Sequence, residues 1–104
     1  MIEKEYKLYK GDEKTIEKVL LDENLHYLHI ALTNGDELPE HFSNSNVYMT
    51  VIRGELSIGL DTQEIHVYEA GTLLQIPNNT KMRIKNLHPD TLELIVVKAP
   101  APKS

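Results

Sequence analysis

The stretch GDELPEHFSNSNVYMTVIRG, residues 35–54, decides the fold. Glycines bound it, Gly35 and Gly54, and a single histidine, His41, stands near its start. Beyond the histidine, Val47, Met49 and Val51 alternate with Tyr48, Thr50 and Ile52. A period of two is that of a strand whose successive side chains point to opposite faces. The link between them, Ser43-Asn44-Ser45-Asn46, has the chemistry of a tight turn. The same four short polar side chains would equally suit a small ligand at the mouth of a pocket. A second glycine-led stretch, GTLLQIPNNTKMRIKN at residues 71–86, repeats the theme. There Lys81, Arg83 and Lys85 must face water, which sends Met82, Ile84 and Asn86 inward.

The rest of the chain reads the same way. Leu56, Ile58 and Leu60 alternate with polar residues, and Asp61-Thr62 turns the chain into a strand where Ile65 and Val67 alternate with Glu64, His66 and Tyr68. Leu92, Leu94 and Val96 form the last strand, after a His88-Pro89-Asp90 turn. Short strands this closely spaced imply an antiparallel sandwich or small barrel. One segment argues back: Ile16, Val19 and Leu20 are spaced as on a helix face. Its surroundings are all β, so a strand is expected there. Residues 1–98 thus form one all-β barrel domain, and residues 99–104 (APAPKS) an extended, proline-containing tail.

Composition narrows the function. At 104 residues the chain can bury one modest core but not two. A formal charge of −5 repels phosphate backbones and argues against nucleic acid as a partner. No apolar run is long enough to cross a bilayer, and the charged start of the chain does not read as a secretory signal, so no membrane is expected. The absence of cysteine removes disulfides and thiolate metal sites and fits a cytoplasmic location.

At its two glycine-bounded stretches the chain resembles the cupin superfamily, in particular the small single-domain cupins. The family's first motif runs glycine, five residues, His-x-His, three or four residues, Glu, six residues, glycine. Gly35, His41 and Gly54 fall in register with it. The second runs glycine, five residues, Pro-x-Gly, two residues, His, three residues, Asn, and Gly71, Pro77 and Asn86 match. Asn79 stands at the turn glycine, a mild change because Asn tolerates the left-handed conformation. The resemblance implies a jelly-roll β-barrel, or double-stranded β-helix, commonly a homodimer. The N-terminal strands, about residues 1–22 with Tyr6, Leu8 and Tyr9, would cover a partner's sheet edge.

The same resemblance places the family's metal ligands at His41, Ser43, Val47 and Met82. Only His41 is a family ligand: Ser43 offers a neutral hydroxyl, Val47 nothing and Met82 a soft thioether. A stable divalent site needs three or four well-placed donors. No metal and no other cofactor is therefore expected, with His41 the one good ligand should a metal bind.

The first reading is a module that binds a small molecule inside the barrel. His41, Ser43 and Asn46 would orient the ligand against a wall of Val47, Met49, Val51, Met82 and Ile84. The alternative is an enzyme, either a small metal-free isomerase or epimerase with His41 as catalytic base or a metal-dependent cupin enzyme with atypical ligands. The metal-free case is the more specific of the two. That chemistry requires an acid partner in the cavity, for which Tyr27 or His29 would serve, while Tyr48 should face away. A third possibility is a barrel filled by its own side chains that acts through its surface. His26 and His29, three apart on a strand, point to opposite faces, one toward the surface and one toward a sheet edge. His66 and His88 read as exposed, and Asn86 as a residue that ties a strand end to neighbouring backbone.

Overall fold

A computed structural model describes residues 1–103. Nine strands follow in order: β1 (Thr15–Leu21), β2 (His26–Leu32), β3 (His41–Phe42), β4 (Asn46–Arg53), β5 (Glu55–Leu60), β6 (His66–Glu69), β7 (Leu73–Ile76), β8 (Lys81–Lys85) and β9 (Leu92–Ala99). They form two sheets, ordered β1-β2-β9-β4-β7 and β3-β8-β5-β6, with every named pairing antiparallel. Together these make a jelly-roll barrel, the all-β fold expected. Among the described residues no helix is long and apolar enough to cross a membrane.

The alternation read from the sequence holds where it matters most. Val47, Met49 and Val51 point inward from β4, Met82 and Ile84 from β8, and Leu92, Leu94 and Val96 from β9. One half of the interior is filled by Leu32, Val51, Leu56, Ile58, Ile76, Leu92 and Leu94, all at most 1% exposed. Each such side chain contributes roughly 1.5–3 kcal/mol relative to leaving it in water.

β1 is a strand, and its helix-like spacing has a local cause. Pairing with β2 slips between Lys18 and Leu20, so Val19 is an extra residue in a bulge. The bulge resets the period of two and places Ile16 and Leu20, four residues apart, on opposite faces. On β6 the expected faces are exchanged. Tyr68 packs on the core, while Ile65 and Val67 are 41% and 51% exposed. This edge strand pairs with β5, and Tyr68 packs from it against the core.

The N-terminal end differs from the strands expected there. No strand precedes Thr15 among the described residues. The segment from residue 6 to residue 12 instead runs against the outer face of the chain's own larger sheet, where Tyr9 N donates to Glu17 and Asp12 meets Arg53. Tyr6 and Leu8 border a groove there with Val19, Leu20 and Tyr27, and Tyr6 stays 47% exposed. The C-terminal segment leaves β9 after Ala99 and is docked: Ser45 Oγ donates to Pro100 O, and Ala101 N donates to Asn24 O. Ser104, the end of the expected tail, lies outside the described residues.

Two backbone positions show why the motif residues are needed. Gly54, in the β4–β5 hairpin, has φ +77°, and a Cβ there would run into Thr91 O and come within 2.9 Å of Leu92 Cα. Asn79 adopts φ 62°, the left-handed conformation expected of it in the family's glycine position.

Candidate functional site

The interior not filled by the core is a cavity of about 200 Å³ between the sheets. Leu28 and Ile30 from β2, Val47 and Met49 from β4, Met82 and Ile84 from β8 and Val96 from β9 form its walls. Ile16 and the Leu38-Pro39 loop stand at the rim. That loop is held in place by backbone bonds to the end of β8: Leu38 N donates to Ile84 O (3.0 Å), and Asn86 N donates to Asp36 O (2.9 Å). Asn86 anchors the far end, its Nδ2 donating to Leu32 O and Asp90 O at 2.9 Å while Oδ1 accepts from His88 N. This fulfils its expected structural part.

Among the described residues only two polar side chains reach the cavity, His41 and Lys98. His41 is exposed at the rim, because β3 is a two-residue strand at the sheet edge. Its Nδ1 donates to Pro39 O at 2.8 Å, which fixes the ring and leaves Nε2 for a ligand. Lys98 continues the inward series Leu92, Leu94, Val96 by one more step. Burial, and then the nearby charge of Lys18, push its amine below the usual lysine range. The sequence reading missed it, although extending the period of two by one step would have found it.

Of the expected site residues, His41, Val47, Met49, Met82 and Ile84 come together here. Three do not. Ser43 is 4% exposed, and its hydroxyl is fully committed, donating to Pro77 O and accepting from Thr80 N, both at 2.8 Å. Asn46 points outward into a separate polar groove beside Pro100, where its Oδ1 accepts from Asn78 N. Val51 sits deeper, in the filled half of the barrel. The parity of β4 places Val51 inward, but its neighbours leave no space beside it.

The two acids named for isomerase chemistry lie on the opposite face of the sheet. Tyr27 borders the groove beneath the N-terminal segment. His29 is 0% exposed, far from the sheet-edge or surface position expected, because residues 6–12 roof it over. Its Nδ1 lies 2.6 Å from Glu17 Oε1 and its Nε2 2.6 Å from Glu93 Oε2. Glu93 also meets Arg53 Nε at 2.9 Å, and Arg53 Nη1 reaches Asp12 Oδ1 at 2.7 Å. The result is a continuous chain, Asp12–Arg53–Glu93–His29–Glu17, that fastens the N-terminal segment to the sheet. The Arg53 guanidinium is held above its usual range chiefly by Asp12, and the Glu17 carboxyl below its own by Tyr9 N–H and then His29. His66 is exposed as expected, whereas His88 is half-buried beside Ser57 Oγ at 3.4 Å. Tyr48 does face away from the cavity.

The residues at the family's ligand positions do not fit a divalent metal. Val47 has no donor atom, the Ser43 hydroxyl is already occupied, and the Met82 thioether is a soft, weak ligand. His41 alone is left, and no group of three or more His, Cys, Asp or Glu side chains suited to a metal occurs among the described residues.

No family model matches the chain. An uncharacterized protein of Methanocaldococcus jannaschii is 45% identical over 105 residues, covering 99% of this chain and 90% of that protein. The crystal structure of that protein, described as an RmlC-like cupin with a double-stranded β-helix fold, superposes with a TM-score of 0.95. It is 42% identical in that comparison, over 98% of this chain and 94% of the other. Two more distant structures share the fold. A double-stranded β-helix protein of Klebsiella pneumoniae has TM-score 0.80 at 19% identity, over 95% and 82% of the two chains. A putative mannose-6-phosphate isomerase of Ralstonia eutropha has TM-score 0.72 at 18% identity, over 88% of each. Identity of this extent with the archaeal protein, together with the shared barrel, makes the chain a member of the RmlC-like cupin family.

Proposed function

We propose that this cupin is a binding module for a small, largely apolar molecule, held in the open half of the barrel without a metal at the family's position. One observation carries the reading: a cavity of about 200 Å³ persists inside an otherwise close-packed barrel, with walls almost wholly apolar. Proteins rarely leave voids larger than a water molecule without a use for them. This volume corresponds to roughly seven water-sized groups at ~30 Å³ each. His41 Nε2 at the rim supplies one directional contact. The isomerase reading lacks the acid partner it called on, since Tyr27 and His29 lie on the other side of the sheet. The likeness to a sugar-phosphate isomerase extends to the fold alone.

The test is methyl-detected NMR on protein labelled at Val, Ile, Leu and Met, titrated with benzene and with cyclohexanol. Shifts confined to Val47, Met49, Met82, Ile84 and Val96 support the reading. Shifts spread over the surface, or none at saturating probe, overturn it.

A further inference from the structure

The barrel cavity carries a charge that its walls do not neutralise. Lys98 lines it from β9, and among the described residues no carboxylate lies within ion-pair distance of its amine. The acids closest in sequence to the rim are engaged elsewhere. Glu37 and Glu40, which flank Leu38-Pro39, pair with Lys85 and Lys81 on the outward face of β8, at 3.6 and 3.4 Å. A second cation reinforces the first. Lys18 lies two residues along β1 from Ile16, on the same face, and its charge is felt at Lys98. The cavity thus presents one amine and, at its rim, one imidazole, with the exposed Lys18 amine adding positive charge nearby, in a chain whose net charge is −5. A partly desolvated, unpaired ammonium is unfavourable, and the group that relieves it is an anion.

We propose that the ligand is a small organic anion, with an apolar body of about six carbons among Val47, Met49, Met82 and Val96 and an anionic head on Lys98 Nζ, seconded by Lys18. This rests on the cavity being a ligand site, and it adds the charge and class of what enters. The size follows from the cavity of about 200 Å³, which has room for a six-carbon ring or chain. The sign follows from the lysines. No covalent step is needed: the head group exchanges water for an ammonium, as in other charge-assisted pairs.

Benzoate and hexanoate are the probes, with benzyl alcohol and hexanol as neutral counterparts, each titrated into the intact protein and into Lys98→Met, Lys98→Arg and Lys18→Gln. The carboxylates should bind at least tenfold more tightly than the alcohols. Lys98→Met should abolish that preference without weakening the alcohols, Lys98→Arg should keep it, and Lys18→Gln should reduce it two- to threefold. Should Lys98→Met fail to fold, salt titration of the wild type decides instead: carboxylate affinity falls with added salt and alcohol affinity does not. Alcohols and carboxylates binding alike, with no effect of salt or of Lys98→Met, would overturn the anion while leaving the cavity reading intact. Failure of all four probes to bind would overturn both.

Discussion

Replacing His29 by alanine should open the charge chain at its centre. The imidazole bonds Glu17 and Glu93 at 2.6 Å on either side, and each such charge-assisted bond contributes about 1.5–3 kcal/mol net. Removing one partner of a fully buried pair costs about 3–5 kcal/mol. Here the cost must be smaller, because the Glu17 and Glu93 side chains are 28% and 19% exposed and water can reach them. Both also keep a second partner, Tyr9 N–H for Glu17 and Arg53 for Glu93. We therefore expect a loss of about 2–3 kcal/mol, from the two bonds and the hole left by the ring, partly offset by solvation of the carboxylates. In a domain of this size ~1 kcal/mol moves the melting temperature by about 4–8 °C, so the midpoint should fall by about 8–24 °C. His29→Gln, which donates one bond, should lie about midway. Urea unfolding at pH 7 measures the first quantity and thermal unfolding the second. Limited proteolysis should show residues 1–14 cleaved faster in the alanine variant. A loss under ~0.5 kcal/mol with unchanged proteolysis would refute the view that His29 fastens the N-terminal segment.

Other perturbations separate further parts of the account. Gly54→Ala should cost about 3 kcal/mol or more in urea unfolding, since a Cβ meets β9 backbone, whereas Gly71→Ala, with φ +91° but open space around it, should cost only about 1 kcal/mol. Acid unfolding has a definite sign. The Glu17, Asp22 and Asp36 carboxyls are held below their usual range, chiefly by Tyr9 N–H, Leu25 N–H and the Thr33 side chain respectively. Their contribution is complete above the unfolded carboxylate values, near pH ~4, and is lost as pH falls through the folded values. Stability measured from pH 7 down to pH 2 should therefore decline below about pH 4, and less steeply for Glu17→Gln than for wild type. Met49→Ala, at the junction of core and cavity, should cost about 2–5 kcal/mol in urea unfolding and admit larger apolar probes by NMR.

The barrel was legible because its strands obey simple alternation. Lys81, Arg83 and Lys85 can only face water, and that alone places Met82 and Ile84 in the cavity wall. Gly54 and Asn79 sit where backbone conformation selects the residue, so motif spacing located them. What the sequence concealed depends on contacts between distant segments. His29 looks like any outward strand residue until residues 6–12 fold over it and Glu93, 64 positions away, reaches its ring. Ser43 and Asn46 read as ligand contacts because the positions of neighbouring backbone acceptors and donors cannot be seen in one dimension. Pro77 O and Thr80 N take up the Ser43 hydroxyl from more than thirty residues downstream. Lys98 was obscured by its place next to the proline-containing tail, though the alternation of β9 runs straight through it.

The central claim is that this cupin barrel receives its ligand without a divalent metal at the family's position. The most direct test is elemental analysis of protein purified without a metal-affinity step, as wild type and as His41→Ala. The donor set around His41 predicts metal far below one equivalent in both. One equivalent of divalent metal in the wild type, lost in His41→Ala, would contradict the claim and return the barrel to metal-dependent chemistry.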